Sequence, residues 1–137
     1  NGPVLSHTGT FNANPMTMVA GEATLMQLTP ELYERLNRLG DMLREKLRAV
    51  FAELEVPAQV TGVGSFFGIH FSSEKITDYR SMLRGDQGMK KRLFRELLNQ
   101  GVLMQARAAG ALNIHTTQSE IDSLVDAIRA AVQRISR

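Results

Sequence analysis

The sequence predicts an α+β fold in which three helices cover one face of a small sheet of three or four mainly antiparallel strands, with a further long helix before this layer. Apolar residues recur every three or four positions over 32–54 and again over 121–135, as in amphipathic helices, and they alternate over 66–71, as in a strand. The 137 residues suffice for one hydrophobic core. We divide the chain into a turn and interdomain helix over 1–28 and a small α+β domain over 29–137.

The first helix is predicted from its capping residues. Asn14 is a preferred N-cap and Pro15 suits the first helical position, so the helix begins there and extends to about Leu28. Its apolar residues surround the axis, which predicts burial between domains or subunits. Gly21 lies in mid-helix, where glycine is unfavourable, and therefore indicates close backbone packing.

The start of this helix also suggests an anion site. Free N–H groups of the first turn, together with the polar side chains of Thr8, Thr10, Asn12 and Asn14, would suit a phosphate. The alternative is an ordinary capped helix that binds only water.

The second helix begins at Thr29-Pro30 and is predicted to pack on its own sheet rather than on a partner. Its charged face offers the pairs Glu31–Arg35 and Glu34–Arg38 at the i,i+4 spacing. From Ala58 to Phe71 the pattern predicts one strand. Its glycines indicate a bulge or bend, and Phe67, Ile69 and Phe71 are expected to share one face while Phe66, Gly68 and His70 share the other.

Residues 72–85 are polar and predict a surface connection with a helical turn. Asp86 then caps a helix that Gly101 terminates, and we expect Lys90 and Lys91 on its exposed side. An exposed amine is unsuited to forming a Schiff base, because that role needs a desolvated lysine with a lowered pKa.

The last third predicts a hairpin and a final helix. Residues 102–105 and 111–115 are the expected strands, joined by a turn whose one charged side chain is Arg107. Arginine binds carboxylates through two parallel hydrogen bonds, so Arg107 is a candidate substrate-binding residue; the alternative is a solvent-exposed turn arginine. Thr117 and Glu120 have the spacing of a capping box before the last helix.

Composition excludes several function classes. The net charge of +2 argues against nucleic-acid binding, and the basic residues of the second helix alternate with acidic ones. Without cysteine, disulfides and thiolate chemistry are impossible, which favours a cytoplasmic location. No apolar run is long enough to cross a membrane, and the three histidines form no ligand-spaced pair, so we expect neither membrane nor metal binding.

The residue order Gly9-Thr10-Phe11-Asn12-x-Asn14-Pro15-x-x-Met18-x-x-Gly21 resembles the class III aminotransferases, in particular the glutamate-1-semialdehyde 2,1-aminomutases. Looser similarity continues through 62–67 and 115–122. The resemblance implies a fold type I enzyme that depends on pyridoxal 5'-phosphate (PLP), works as a homodimer and acts on a small amino-acid substrate. It also implies that Thr10, with Gly9 and Asn12, binds the phosphate of the cofactor held by the neighbouring subunit.

The resemblance further implies that the larger domain, with the lysine that forms the Schiff base, has no counterpart in these 137 residues. We therefore expect a C-terminal fragment that contains no catalytic residue and is inactive alone. The alternative is a non-catalytic dimerisation or small-ligand-binding module, which the apolar first helix suggests.

Overall fold

The computed structural model describes residues 9–136, so predictions that fall on residues 1–8, including Thr8, lie outside the described part. The elements in chain order are α1 (Pro15–Leu25), α2 (Pro30–Glu53), β1 (Ala58–Thr61), β2 (Phe66–Phe71), α3 (Tyr79–Arg84), α4 (Gln87–Asn99), β3 (Ala109–Ala111) and α5 (Gln118–Ile135).

The sheet has the order β1-β2-β3 and is antiparallel throughout. The predicted single bent strand over 58–71 is wrong, because two strands form a hairpin there, with Val60 opposite Ile69. Gly62 at φ +144° and Gly64 at φ +57° adopt conformations that side chains disfavour. These two glycines therefore reverse the chain rather than bend one strand.

The predicted hairpin of 102–105 with 111–115 is also wrong. Residues 102–105 are not a strand, and the free edge of β2 pairs with Ala109–Ala111 instead. The Ala108 carbonyl extends this pairing by accepting from the Ile69 N–H at 2.8 Å. Ala108 has φ +58° in the turn before β3, and this turn brings β3 to the open edge of β2.

Helices α2, α4 and α5 form the core with one face of the sheet, as predicted. Phe67, Ile69 and Phe71 are all buried on that face. Phe71 meets Phe51 of α2 edge to face, with ring centroids 5.9 Å apart. The most deeply buried helical residues are Leu43, Leu47, Leu93, Leu97, Ile128 and Val132.

Local capping signals are confirmed in every helix for which they were identified. Thr29 caps α2, Asp86 caps α4, and Thr117 forms a reciprocal capping box with Glu120 at α5. Gly101, with φ +78°, follows the end of α4. The connection 72–85 contains the expected helical turn, α3.

Helix α1 departs from its prediction in two ways. It ends at Leu25, and none of its residues is buried, so the expected covering by domain or subunit is not supplied by residues 9–136. A Cβ at Gly21 would meet nothing within 4 Å, so the close packing expected there is not found in the described chain. In the part of the chain that the structure describes, no helix is long and apolar enough to span a membrane.

Candidate functional site: a polar turn before the first helix

The turn over Gly9–Asn14 brings the three predicted phosphate-binding residues together. The Asn12 N–H donates to the Gly9 carbonyl at 3.1 Å, and the Asn14 N–H donates to the Phe11 carbonyl at 3.2 Å. Thr10 lies between these bonds and is exposed. Among residues 9–136 no hydrogen bond uses its hydroxyl or its N–H. Two adjacent donors of one residue are therefore unused among the described residues.

Gly9 lies against the side chain of Asn12 in this turn. A Cβ at Gly9 would stand 2.7 Å from Oδ1 of Asn12, closer than any real side chain approaches. The Asn12 carboxamide therefore lies against the bare Gly9 backbone.

The helix start contributes less than the sequence predicted. Oδ1 of Asn14 accepts from the N–H of Met16 at 3.0 Å and of Thr17 at 3.4 Å, and the N–H of Met18 bonds the Asn14 carbonyl. Pro15 has no N–H. The expectation that free N–H groups of the first turn point towards an anion is wrong, because Asn14 uses them. The donors that remain for a phosphate are those of Thr10, together with the carboxamide of Asn12.

Arg107 is exposed in the turn between Gln105 and Ala108, which closes through the Ala108 N–H and the Gln105 carbonyl at 2.8 Å. Within the described residues no hydrogen bond or salt bridge connects Arg107 to the Thr10 turn. An open pocket of about 430 Å³ lies beside the Arg107 turn. Its lining is mostly apolar and includes Phe67, Leu103, Met104, Ala109, Ile121 and Leu124.

Two arginines of α2 were not identified as anchors from the sequence. Arg35 was paired with Glu31, but its guanidinium instead donates to the carbonyls of Ile114 at 2.8 Å and Thr116 at 2.9 Å. Arg44 is one of the basic residues that alternate with acidic ones along this helix, and it is 4% exposed. The sequence does not show which carbonyls of distant segments will accept from an arginine, so these contacts could not be predicted. Of the two predicted i,i+4 pairs, Glu34–Arg38 forms, at 3.8 Å.

The position of Lys90 corrects a second prediction about charge. Lys91 is exposed as expected, but Lys90 is 3% exposed, and its Nζ lies 3.3 Å from Nδ1 of His70. Burial lowers the pKa of Lys90 below its ordinary value. Lys90 is thus the desolvated amine that its helix was not expected to contain. Among the described residues, no group of three possible ligands is placed to bind a metal ion.

Comparison with known proteins assigns the family. The family described as aminotransferase class-III matches residues 2–132. The chain belongs to the class III aminotransferases. This membership confirms the resemblance carried by the Gly9–Gly21 motif, and it covers almost the whole sequence.

Curated relatives of this class III chain are named glutamate-1-semialdehyde 2,1-aminomutase. One, from Halalkalibacterium halodurans, is 34% identical over 139 residues that cover 100% of this chain and 32% of the relative. Another, from Macrococcus caseolyticus, is 36% identical over 122 residues that cover 89% and 28%. The chain therefore spans about a third of the length of the curated relatives it matches.

Solved structures share the fold. An omega-transaminase from Sphaerobacter thermophilus matches with a TM-score of 0.86 and 38% identity, covering 94% of this chain and 30% of that one. A β-phenylalanine aminotransferase from Variovorax paradoxus matches with a TM-score of 0.84 and 36% identity, covering 97% and 31%. A glutamate-1-semialdehyde aminomutase from Pseudomonas aeruginosa, in complex with PMP, shares the fold at a TM-score of 0.83 and 22% identity, covering 97% and 31%. The predicted α+β class is confirmed, and the family's cofactor is PLP.

Proposed function

We propose that this chain is the small domain and the phosphate-binding turn of a homodimeric, PLP-dependent enzyme that transfers amino groups. In this proposal the Thr10 hydroxyl and N–H donate to the phosphate of the cofactor bound by the neighbouring subunit, next to Gly9 and Asn12. The observation that supports it is the exposed Thr10, with two donors unused among residues 9–136 and presented on a fixed turn. Membership of the class III aminotransferases supports the PLP phosphate as the anion that Thr10 binds.

The residues present fit a phosphate at one edge only. The Thr10 turn supplies two hydrogen-bond donors, and hydrogen bonds to an anion are stronger than those between neutral groups. The first turn of α1 adds no further N–H donors, because Asn14 caps it. The larger part of the site must therefore come from elsewhere in the dimer. When bound, PLP supplies an electron sink for the transfer, and Thr10 contributes by fixing where the cofactor sits.

For the substrate, we propose a small amino acid whose carboxylate is bound by Arg107. Its guanidinium is exposed, so it is available for a bidentate pair, and the apolar pocket beside its turn suits a hydrocarbon side chain. The names of the relatives include both an aminomutase and a β-phenylalanine aminotransferase, so the proposal extends only to the carboxylate. Replacement of Arg107 by Gln that leaves the KM for carboxylate substrates unchanged would remove this residue from the site.

The test of the cofactor role is a PLP titration of the intact polypeptide that contains this chain, with Thr10→Val, Thr10→Ser and wild type. Valine keeps the shape and removes the hydroxyl, and we expect it to weaken PLP binding about tenfold, the effect of one charge-assisted hydrogen bond. Serine keeps the hydroxyl, so its affinity should remain near that of the wild type. Thr17→Val, in an exposed position of α1, is the matched control.

Equal PLP affinity in Thr10→Val and Thr17→Val would contradict the assignment of Thr10. For the 137-residue chain alone we propose no activity and little PLP affinity, because it supplies one edge of the site. Calorimetry with free PLP measures this directly: tight binding by the isolated chain would show that the site is complete within it.

The alternative function is a non-catalytic dimerisation module. It is favoured by α1, whose Met16, Met18, Val19 and Leu25 are each more than half exposed. Apolar surface of this kind promotes association. Two measurements together separate the proposals: sedimentation of the isolated chain over a concentration series, and the PLP titration of the intact polypeptide. If the isolated chain self-associates and the intact polypeptide binds no PLP, the dimerisation module is favoured.

A further inference from the structure

Lys90 is buried without an acidic partner. It is 3% exposed, and none of the salt bridges among the described residues includes it. A buried ammonium without a carboxylate is costly, because desolvation is not offset by an opposite charge. Such a group needs another acceptor. The residues around it show which acceptor it has.

The acceptor is the imidazole of His70. Nζ of Lys90 lies 3.3 Å from Nδ1 of His70, and Nε2 of His70 lies 2.9 Å from Oγ1 of Thr61. An ammonium group can only donate, so Nδ1 must accept and must carry no proton. Nε2 then carries the proton of the neutral ring and donates it to Thr61. The Lys90–His70 pair therefore carries one positive charge, on Lys90, while His70 is neutral.

This pair joins elements that are separate in the chain. Lys90 belongs to α4, His70 to β2 and Thr61 to β1, and Sδ of Met82 in α3 lies 3.7 Å from Nζ of Lys90. His70 lies on the face of β2 opposite Phe67, Ile69 and Phe71. The contacts thus link the start of α4 to the face of β2 that carries His70, and Met82 brings α3 to the same ammonium group.

The surrounding charged groups cannot neutralise a second proton. Asp86 of α4 accepts the Met89 N–H at 2.7 Å and lies 3.9 Å from Arg92, while β1 contains no ionisable residue. In the connection, Asp78 accepts the Ser81 N–H at 2.7 Å. The remaining ionisable side chains of the connection and α4 are Glu74, which pairs with Arg84, Glu96, which pairs with Arg134 of α5, and the exposed Lys75, Tyr79, Arg80, Lys91 and Arg95.

The titration behaviour of both groups agrees with this arrangement. Burial, followed by the positive charge of Lys90, lowers the pKa of His70, and burial lowers the pKa of Lys90. Each group therefore disfavours a second proton on the pair. Protonation of Nδ1 would place two cations 3.3 Å apart and would leave Lys90, among the described residues, with the weak sulfur acceptor of Met82 alone.

We propose that Lys90 and His70 form an acid-sensitive latch, which holds α3 against the sheet while the pair carries one positive charge and releases it when the imidazole binds a second proton. The latch is independent of the cofactor and belongs to the 137 residues themselves. It makes the docking of α3 depend on pH within the range in which histidine titrates.

The experiment combines an NMR titration of the histidine side chains with amide hydrogen exchange of α3 in the 137-residue chain. His70 is expected to titrate at lower pH than the exposed His115, which serves as an internal reference. Exchange of the α3 amides, corrected for the intrinsic pH dependence, should become several-fold faster at pH 5 than at pH 7.5, because the open state binds the second proton more readily than the closed state.

Three variants identify the cause. His70→Asn keeps an acceptor for Lys90 but cannot titrate, so its α3 exchange should lose the pH dependence. Lys90→Met removes one charge and should raise the pKa of His70, and Lys91→Met, which removes an exposed charge from the next position, should change neither. The latch is wrong if His70 titrates together with His115, if α3 exchange is equal at the two pH values, or if Lys91→Met acts like Lys90→Met. If His70→Asn does not fold, the Lys90→Met and Lys91→Met comparison still decides.

Discussion

Arg44 shows how one side chain fixes a turn that the backbone alone does not hold. Its Nη1 donates to the carbonyls of Gly64 at 2.7 Å and Phe66 at 2.6 Å, and its Nη2 bonds Asp41 at 2.6 Å. Gly64 lies in the turn of the β1–β2 hairpin, and Phe66 is the first residue of β2. The charge is tolerated at 4% exposure because three oxygens surround it.

Replacement of Arg44 by Met should lower the free energy of unfolding by about 1–3 kcal/mol, because two carbonyls lose a charged donor that is itself buried. Urea denaturation of the two proteins measures the difference. Arg38→Met is the matched control, since its ion pair with Glu34 is about 70% exposed on both sides. Surface pairs contribute about 0–1 kcal/mol, so the control should remain close to wild type. Equal losses in both variants would mean that the carbonyls do not need Arg44.

At the scale of elements, α2 and the hairpin approach each other through two glycines. A Cβ at Gly40 would stand 1.9 Å from the carbonyl oxygen of Gly64, a backbone atom that Arg44 also holds. This contact leaves no space for any side chain at position 40. Glycine is otherwise unfavourable within a helix, so its presence here reflects the close approach.

We expect Gly40→Ala to lower the free energy of unfolding by about 1–3 kcal/mol, the usual cost of an overpacked core position. Gly21→Ala is the control in α1, where an added Cβ meets nothing within 4 Å. There alanine should not reduce stability, because it only raises helix propensity. Thermal unfolding of both variants provides the comparison. A Gly40→Ala protein as stable as Gly21→Ala would show that the hairpin can move away from α2 at no cost.

The same elements show what the sequence predicts and what it does not. Caps such as Thr117–Glu120 and the face that carries Ile69 depend on neighbours in the chain, so they were predictable. The use of β3 in place of 102–105 depends on which segment reaches the open edge of β2. Short apolar segments have no local feature that decides this.

The candidate site also has some features that the sequence predicts and others that it does not. The order of residues identifies the turn of Thr10, and the structure supplies its geometry. Whether the first-turn N–H groups of α1 are free depends on the rotamer of Asn14, which no pattern fixes. The burial of Lys90 was missed for a similar reason, since helix periodicity alone gives no information about a histidine on another element.

For the whole molecule, the direction of each pKa shift determines how stability depends on pH. The pKa of His70 is lowered, so between that value and about 6.5 the unfolded chain binds more protons than the folded one. Stability contributed by neutral His70 is therefore present above about pH 6.5 and is lost as the pH falls. Asp78 and Glu120, whose pKa values are lowered chiefly by backbone N–H groups of Ser81 and Thr117, lose their contribution only in stronger acid.

Lys90 extends this dependence to alkaline pH. Its unfolded ammonium remains protonated up to about pH 10.4, whereas burial lowers the pKa of the folded lysine, so the free energy of unfolding rises with pH in the window between the two values. We therefore expect urea unfolding to give a larger free energy at pH 7.5 than at pH 5.5, and a further increase as the pH rises towards about 10.4. Lys90→Met should abolish the increase above pH 7.5, because the titrating amine is gone, while exposed Lys91→Met should preserve it. A free energy that decreases from pH 5.5 to pH 7.5 would contradict the lowered pKa of His70, which requires the unfolded chain to bind the additional proton in this range.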